Sequence, residues 1–475
     1  MSTDIVIVGG GITGLAAAYT LATDPRARTL GLACTVVERD GRLGGKLQTE
    51  HIHGCVVETG PDSFLATKPA AADLCRAVGL GDRLIGTLPG RAVYMAYGGR
   101  LHPLPDGLAM GVPGRLLPML RTGLLSATEK ARLGLDLVLP RGGANGDESV
   151  GALLRRRLGG AAVDRLAGPL LAGIYAGDAD ALSSRATFPQ LREWEASYRS
   201  LILGALAQRR RAPGRQAGAS PLFLSLVGGV GELVASLAAS LRETTILTGR
   251  VASRILRRTD RGRMAYAVAL DDGRLLEADA LLLATPAFVT ADLLDRLAPS
   301  VAAGLRDIPY ASTAAVTLGY RRAGIRHALD GHGFVVARNE PLRVTACTWV
   351  SSKWPHRAPP ELALLRCYLG RANSDAVVEE DDDRLVSVVR DDLRATMGVD
   401  ADPVFAVATR WRRAMPQYLP GHLDRLESIN AGMRELRGVA LAGAGYRGVG
   451  IPDCIRQGAE AAGTLLDALT RHVPA

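Results

Sequence analysis

The sequence predicts an α/β protein whose first domain is Rossmann-like and binds a dinucleotide. Residues 4–8 form a short β-branched run typical of a buried parallel strand. The pattern Gly-x-Gly-x-x-Gly follows at once over residues 9–14, an alanine-rich helix is predicted over 15–21, and a second apolar strand is predicted over 34–38. A strand, a glycine turn, a helix and a second strand in this order form a βαβ unit.

The three glycines of the motif have separate roles in binding a pyrophosphate. Gly9 permits the tight turn, Gly11 lets the backbone approach the phosphates, and Gly14 lets the helix pack closely on the strand. The helix N-terminus adds positive partial charge. Glu38 ends the second strand, 38 − 14 = 24 residues after Gly14, and its carboxylate can accept hydrogen bonds from both ribose hydroxyls. A chance glycine turn is therefore a poor explanation.

A second glycine-rich segment follows Glu38 and favours FAD over NAD. The residues assigned to the cofactor in this segment are Arg39, Arg42, Gly44, Gly45 and Lys46. Two glycines and several cations in this place suit an extended cofactor whose pyrophosphate needs further backbone and charge contacts. A solvated turn would explain Arg42 alone, but it explains the whole pattern poorly.

The segment Glu-Thr-Gly-Pro-Asp-Ser over residues 58–63 predicts a rigid loop after a strand. Gly60 would give a flat ligand close access to the backbone, and Ser63 is assigned to the same site. On its own this segment is more typical of an ordinary turn.

The C-terminal region repeats the glycine pattern over residues 443–448, but we do not interpret it as a second dinucleotide site. The glycines, beginning at Gly443, run on through Gly450 and Ile451, and no second ribose-binding acid follows on a strand. Pro452 is predicted at the first position of a helix whose N-terminus points at a flavin ring. Its dipole would stabilise negative charge on reduced flavin. An ordinary capped helix is the alternative.

Two further residues complete the predicted cofactor site. Trp411 opens a cluster, Trp-Arg-Arg-Ala-Met-Pro-Gln-Tyr over 411–418, that is followed by Gly421 and His422. Trp411 is predicted to pack against the cofactor, although a buried core tryptophan fits equally well. Val251, just after a strand predicted over 245–248, is assigned to the same site.

Segments of dinucleotide-binding type lie at the start, the middle and the end of the chain, which predicts a discontinuous cofactor domain. This domain is predicted to comprise residues 1–67, 221–287 and 405–475. Residues 68–220 predict an inserted helical domain, which ends in an Arg/Gly/Pro-rich linker from 209. Residues 288–404 predict a substrate-binding domain with a mixed or antiparallel sheet.

Composition excludes several classes of protein. Of 475 residues, 47% are hydrophobic and 4% aromatic, which favours a globular fold with an aliphatic core and argues against disorder. The net charge is +9, and only four of the 57 basic residues are lysine. We attribute this mainly to codon usage, with a basic surface for anionic ligands as the alternative. No basic run is interleaved with aromatic residues, so no nucleic acid partner is expected.

The cysteines and the hydropathy pattern limit the location and the cofactors of the protein. The six cysteines form no Cys-x-x-Cys pair, so no metal site or thioredoxin-like motif is predicted. They indicate reduced thiols in a cytoplasmic protein. No apolar run reaches the ~18 residues of a membrane span, so peripheral membrane contact is the most that is expected.

Four further segments complete a recognisable set of motifs. They are Gly-Ile-Tyr-Ala-Gly-Asp (173–178), Leu-Ser-x-Arg-Ala-Thr-Phe-Pro-Gln-Leu (182–191), Trp-x-x-x-x-Pro-Gln-Tyr (411–418) and Gly-Val-Gly-Ile-Pro-Asp-Cys-Ile (448–455). Together with the N-terminal motifs they resemble the oxygen-dependent protoporphyrinogen/coproporphyrinogen oxidase family of haem synthesis over nearly the full chain. The resemblance is greatest to the coproporphyrinogen III oxidases of Gram-positive bacteria.

The resemblance implies a monoamine-oxidase-like fold and non-covalently bound FAD. It implies the oxidation of coproporphyrinogen III to coproporphyrin III, with molecular oxygen as acceptor and hydrogen peroxide as product. It also implies an arginine that anchors a substrate propionate, with Arg91 as the candidate and Arg100 as the second choice. It allows a transient contact with ferrochelatase, identifies no catalytic acid or base, and leaves the oligomeric state open.

Four alternatives remain at this stage. Protoporphyrinogen IX is the alternative substrate. An amine oxidase would need a lysine near flavin N5, for which only Lys353 is available. A carotenoid desaturase would share the N-terminal motif but lack the cluster at 411–422. A flavin-binding protein without turnover would have no use for a helix dipole aimed at the flavin.

Overall fold

A five-stranded parallel sheet forms the centre of the protein in the computed structural model, which describes residues 3–88, 91–142, 146–211, 221–260 and 263–471. Its strands lie side by side in the order Thr245–Leu247, Leu32–Val37, Thr3–Val8, Ala280–Leu283 and Val439–Leu441. Every neighbouring pair is parallel. The sheet thus joins strands from the start, middle and end of the chain, which confirms the predicted discontinuous Rossmann-like domain.

Helices cover both faces of this sheet, which explains why its strands are apolar throughout. In the first strand, Ile5 and Ile7 pack on one face, while Val6 and Val8 pack on the other. The helices of the first face are Ile12–Thr23, Pro69–Ala77, Gly231–Ser240 and Ile451–Thr470, and those of the second are Ala287–Leu294, Pro299–Arg306 and His422–Met433.

A three-stranded antiparallel sheet packs on the second face. It consists of Ala252–Asp260, Arg263–Leu270 and Leu275–Ala278. The sequence predicted only its middle strand. The outer two strands carry many exposed charged and polar side chains, so their apolar pattern is weak.

A seven-stranded mixed sheet forms the second large layer. Its strands lie in the order Phe405–Pro416, Tyr310–Arg321, Leu362–Leu369, Val344–Trp349, Gly331–Val336, Ala92–Tyr97 and Arg100–Pro103. The four strands between 310 and 369 were predicted. The helix Asp382–Met397, also predicted, covers one face; its N-cap Asp381 accepts a hydrogen bond from the Arg384 backbone N–H.

Three strands of this sheet lie outside the segment predicted to form it. Phe405–Pro416, assigned from sequence to the cofactor domain, pairs along its length with Tyr310–Arg321. Ala92–Tyr97 and Arg100–Pro103, assigned to the helical domain, extend the opposite edge. Phe405–Pro416 and Ala92–Tyr97 pair with strands far away in sequence, which local composition does not reveal, and Arg100–Pro103 joins the sheet as the hairpin partner of Ala92–Tyr97.

The region between 116 and 211 is helical, as predicted. Its helices are Leu116–Arg121, Ala127–Gly134, Val150–Leu158, Gly160–Ala162, Gly168–Tyr175, Ser184–Thr187, Pro189–Tyr198 and Leu201–Arg211, with a π-helical turn at Val163–Ala167. Ser126 and Glu129 form a capping box at the second helix. The triple arginine 209–211 ends a helix rather than lying in the predicted loop, and the rest of that linker, 212–220, lies outside the described residues.

Short elements connect these layers. The strands are Thr49–Ile52, Cys55–Glu58, Phe64–Leu65, Leu84–Gly86, Leu108–Ala109, Val112–Pro113 and Phe223–Leu226, and the short helices are Pro25–Thr29, Gly81–Arg83, Leu135–Leu137, Arg322–Gly324, Val350–Lys353, Pro355–Arg357 and Ala376–Glu379. Within the described ranges, no helix has both the length and the apolar character needed to cross a bilayer.

Candidate functional site

The turn after the first strand is as tight as the glycine motif predicts. Gly9 has a φ of +111° and its N–H donates to the Val37 carbonyl at 2.8 Å. A Cβ on Gly9 would lie 2.8 Å from the Ala284 carbonyl oxygen, and one on Gly14 would lie 1.9 Å from the Gly9 carbonyl oxygen. Both positions therefore require glycine for the strand, turn and helix to pack together.

Gly11 has open space in front of it, in contrast to the other two glycines. It is the N-cap of the helix Ile12–Thr23, and no atom lies within 4 Å of the position that its Cβ would take. No side chain of the described residues caps this helix. Its first N–H groups therefore face a space into which a phosphate group fits.

Glu38 is buried beside this turn with a fixed orientation. Its Oε2 accepts a hydrogen bond from the Gly10 N–H at 2.7 Å, and its Oε1 accepts one from the Asp40 N–H at 2.9 Å. An ionised carboxylate offers about four acceptor positions, so one on each oxygen remains for a ribose hydroxyl.

The second glycine-rich segment crosses over the first. The Gly44 N–H donates to the Gly10 carbonyl at 2.8 Å, and a Cβ on Gly45 would lie 3.2 Å from the Gly11 Cα. Arg42 binds carbonyls of its own loop, with Nη2 2.8 Å from the Gly45 oxygen. The two glycine segments therefore form a single cradle.

The cations of this segment differ in where they point. The Arg39 side chain is 70% exposed and forms an ion pair with Asp40 at 3.4 Å. Lys46 Nζ donates to the Ala414 carbonyl at 2.5 Å, and burial lowers the pKa of Lys46. Lys46 thus connects the cradle to the segment 411–418, whereas Arg39 faces solvent.

Gly60 and Trp411, which the sequence assigned to the cofactor site, lie next to each other and close to Lys46. Trp411 Nε1 donates to the Thr59 carbonyl at 2.8 Å. A Cβ on Gly60 would lie 1.7 Å from the Lys46 carbonyl oxygen and 3.7 Å from Trp411 Cζ2. Three residues that are far apart in sequence therefore line one end of the cradle.

Ser63 lies in a group of charges behind this loop. Its Oγ donates to Asp62 Oδ1 at 2.7 Å, and Asp62 forms an ion pair with Lys353 Nζ at 2.9 Å. Burial acts to raise the pKa of Asp62, but attraction to Lys353 and Arg366 holds it below its usual range. Lys353, the lysine that an amine oxidase would place at the flavin, is engaged with Asp62.

The C-terminal helix Ile451–Thr470 begins next to the cradle. Gly450 is its N-cap, so Pro452 occupies the second helical position rather than the predicted first; proline is tolerated there because that N–H has no partner within the helix. A Cβ on Gly443 would lie 3.9 Å from Thr13 Oγ1, in the first turn of the N-terminal helix. Asp453 accepts hydrogen bonds from Lys68 Nζ at 2.7 and 2.8 Å.

Tyr418 and His422 hold the loop that leads to this helix. The Tyr418 hydroxyl donates to the Ala444 carbonyl at 2.5 Å and accepts from the Gly448 N–H at 2.9 Å. The His422 ring stacks on Tyr418 at 4.0 Å, and its Nε2 lies 3.0 Å from the Tyr446 carbonyl oxygen. The sequence placed both residues in one cluster but gave neither a role.

The remaining predicted residues are exposed, and Val251 follows Arg250, whose N–H donates to the Glu38 carbonyl at 3.0 Å. Val251 is 44% exposed, and its N–H donates to Asp271 Oδ1 at 3.2 Å. Arg91 is exposed at the start of the strand Ala92–Tyr97, near His332, whose pKa is lowered by burial and by repulsion from Lys353 and Arg91. Arg100 is exposed on the edge strand of the seven-stranded sheet.

Comparison with known proteins agrees with this geometry. The family model for flavin containing amine oxidoreductases matches residues 12–466. The chain is 38% identical over 469 residues to the coproporphyrinogen III oxidase of Bacillus subtilis, covering 98% of each chain.

Solved structures show the same fold. A structure from Exiguobacterium sp. 255-15, assigned as a protoporphyrinogen oxidase, superposes with a TM-score of 0.85 at 35% identity and covers 98% of each chain. A putrescine oxidase superposes with a TM-score of 0.68 at 17% identity, covering 98% of this chain and 99% of the other, which shows that the fold is monoamine-oxidase-like. The chain therefore belongs to the flavin containing amine oxidoreductase family and is an oxidoreductase that uses a flavin.

Proposed function

We propose that the flavin is FAD and that it lies along the cradle from Glu38 to the C-terminal helix. Glu38 binds the ribose hydroxyls, and the open N-terminus at Gly11 binds the pyrophosphate together with the loop 42–46. The ring lies at the end lined by Gly60 and Trp411. The chain of contacts from Glu38 through Gly10 and Gly44 to Lys46 and Gly60 supports the assignment, because it matches the order of ribose, pyrophosphate and ring in FAD.

The N-terminus of the helix Ile451–Thr470 is proposed to face the ring. Gly443, Gly450, Ile451 and Pro452 surround it, and its dipole favours negative charge on the reduced ring. Arg39, Ser63 and Val251 complete the proposed cofactor residues, although Arg39 and Val251 are exposed and contribute at the rim.

We propose that the reaction is the oxidation of coproporphyrinogen III to coproporphyrin III in haem biosynthesis. The observation that carries this proposal is the 38% identity to the Bacillus subtilis coproporphyrinogen III oxidase over 98% of both chains. Protoporphyrinogen IX is the second candidate substrate, and the similarity to the Exiguobacterium structure supports it.

The chemistry requires the removal of six hydrogens from the porphyrinogen. Bound flavin supplies a two-electron acceptor, so three cycles complete the oxidation, and molecular oxygen takes up the electrons to give hydrogen peroxide. Aromatisation of the macrocycle provides the driving force, and no side chain is assigned as acid or base. The task of this chain is to bind and orient the substrate, and Arg91 is proposed to hold one of its propionates.

We also propose how the domains share the binding of cofactor and substrate, and where in the cell the enzyme acts. The cofactor domain uses residues 1–67, 221–287 and the C-terminal part of 405–475, and the seven-stranded sheet and the helical region enclose the substrate. We place the enzyme in the cytoplasm, with at most peripheral membrane contact and a transient contact with ferrochelatase.

The test supplies coproporphyrinogen III and protoporphyrinogen IX, each prepared without oxygen, to the purified protein in air while porphyrin fluorescence is followed. Faster turnover of coproporphyrinogen supports the first candidate, and faster turnover of protoporphyrinogen supports the second. Bound FAD with no fluorescence from either substrate would contradict porphyrinogen oxidation.

A further inference from the structure

A buried arginine that forms no ion pair within the described part of the chain lies directly behind the loop proposed to contact the flavin. Arg366 is 4% exposed, and it lies on the strand Leu362–Leu369. Its Nη2 donates to the Thr59 carbonyl at 3.1 Å and to the Gly60 carbonyl at 2.6 Å. Its guanidinium also lies over the Tyr368 ring at 5.0 Å. Arg366 thus binds the backbone of the loop rather than a carboxylate.

Although Asp62 lies near enough to feel the charge of Arg366, the arginine forms no ion pair with an acid of the described residues. Its Nε and Nη1 atoms are shielded from solvent and have no hydrogen-bond partner in the described residues. Arg366 belongs to a charged group with the buried Glu58 and Arg357 and the half-buried Asp62 and Lys353. With both acids ionised, three cations and two anions leave a net charge of +1. Water screens such a charge weakly because the group is buried.

Arg366 and Trp411, whose Nε1 donates to the same Thr59 carbonyl at 2.8 Å, together fix the direction of a peptide group. Every peptide bond of the described chain is trans, so the Gly60 N–H points away from the Thr59 carbonyl and therefore away from Arg366. Gly60 is buried, and its N–H has no hydrogen-bond partner among the described residues. A buried donor of this kind needs a partner. The flavin ring, proposed to lie beside Gly60, is the group that can provide one.

We propose that Arg366 is a positioning residue that holds the Thr59–Gly60 peptide with its N–H toward the flavin and supplies a positive charge behind it. This inference rests on the proposed cofactor site. Both effects favour negative charge on the ring, so Arg366 makes the bound flavin easier to reduce. It acts through the peptide and does not itself contact the reacting atoms.

The test measures the midpoint potential of the bound flavin by spectrophotometric titration without porphyrinogen. The variants are Arg366→Gln, Arg366→Lys and Asp62→Asn, and Arg306→Gln is the control. Arg366→Gln removes the charge and is expected to lower the equilibrium constant for two-electron reduction about tenfold, a fall of ~30 mV. Arg366→Lys keeps the charge, so its potential is expected to lie between those of wild type and Arg366→Gln. Arg306→Gln, at an exposed arginine paired with Asp292 and Asp295, is the control and leaves the potential unchanged.

Asp62→Asn is a variant for which the expected change of the midpoint potential has the opposite sign. It removes a negative charge from the same group, so it is expected to raise the potential, and it tests the inference even where Arg366→Gln fails to fold. An unchanged potential in Arg366→Gln or in Asp62→Asn would overturn the inference. Wild-type protein that binds flavin but oxidises no porphyrinogen would contradict the proposed reaction alone, because the potential is measured without substrate.

Discussion

The surroundings of each glycine in the cradle show which structural requirement that residue meets. Gly9 and Gly14 are enclosed by backbone atoms, whereas Gly11 faces open space. The three glycines of one motif therefore carry two different constraints, close packing and ligand access. A side chain at Gly9 or Gly14 would disrupt the packing of the turn, whereas one at Gly11 would block the approach of the ligand.

Gly14→Ala is expected to weaken FAD binding by about tenfold or more. The new methyl group would lie 1.9 Å from the Gly9 carbonyl oxygen, so the turn must open. The measurement is the dissociation constant of FAD, obtained by titrating apoprotein and following flavin fluorescence. Gly41→Ala is the control, because no atom lies within 4 Å of its Cβ position. Equal affinity in the two variants would refute the assigned role of the turn.

Arg91→Ala is expected to raise the KM for coproporphyrinogen III about tenfold and to leave kcat nearly unchanged. A lost charge-assisted hydrogen bond to a propionate has this size, and the propionate does not take part in the oxidation. Steady-state kinetics by porphyrin fluorescence measures both constants. Arg100→Ala, on the edge strand, is the comparison; a larger effect there would make Arg100 the anchoring residue.

At the scale of elements, the N-terminal parts of two helices pack together beside the proposed cofactor site. The helices Ile12–Thr23 and Ile451–Thr470 pack so closely that a Cβ on Gly458 would lie 2.3 Å from the Thr13 carbonyl oxygen. Hydrogen bonds from Tyr418 and His422 to backbone carbonyls hold the loop before the second helix in place. The position of this helix thus depends on a buried aromatic pair as well as on its packing.

Tyr418→Phe is expected to destabilise the protein by about 1–3 kcal/mol and to weaken FAD binding. The change removes the donor to the Ala444 carbonyl and the acceptor for the Gly448 N–H while keeping the ring. Denaturant unfolding of the apoprotein and FAD titration give the two values. Tyr19→Phe removes one exposed hydrogen bond to the Ala77 carbonyl and is expected to cost less than 0.5 kcal/mol, or roughly the size of a surface change. Equal losses in both variants would contradict a special role for the loop.

At the scale of the whole molecule, burial shifts the pKa of several histidines in the same direction. Burial lowers the pKa values of His327, His332, His356 and His422. The unfolded chain, with histidine pKa values near ~6.5, therefore binds protons more readily than the folded chain. The folded chain keeps these four rings neutral. Their contribution to stability is therefore complete above the histidine pKa of the unfolded chain, and it is lost as the pH falls from that value through the lower pKa of the folded chain.

We therefore expect the melting temperature of the apoprotein to fall as the pH is lowered from 7.5 to 5.5. His422→Gln is expected to show a shallower fall, since one of the four contributing rings is absent. His51→Gln, at an exposed hairpin position, is the control substitution. Melting curves at several pH values test this, and a melting temperature independent of pH in wild type would contradict it.

The Rossmann-like fold of the first domain follows from the sequence alone, whereas the cofactor contacts of its residues stay predictions. The residues of the first βαβ unit lie close together along the chain, so local patterns were sufficient to predict the strand, the turn, the helix and Glu38. The four central strands of the second sheet and the helix Asp382–Met397 were also visible as apolar periodicity. The motifs between 173 and 191 identified the family because they are specific even without a structure.

Only the tertiary structure decided which distant segments meet. The strands Ala92–Tyr97 and Phe405–Pro416 pair with strands that lie far away in the chain, and no local pattern encodes that pairing, whereas Arg100–Pro103 follows Ala92–Tyr97 in a hairpin. Arg366 is the clearest example at the site. Its role depends on two carbonyls more than 300 residues earlier in the chain and on burial, and both are properties of the folded molecule rather than of the sequence around position 366.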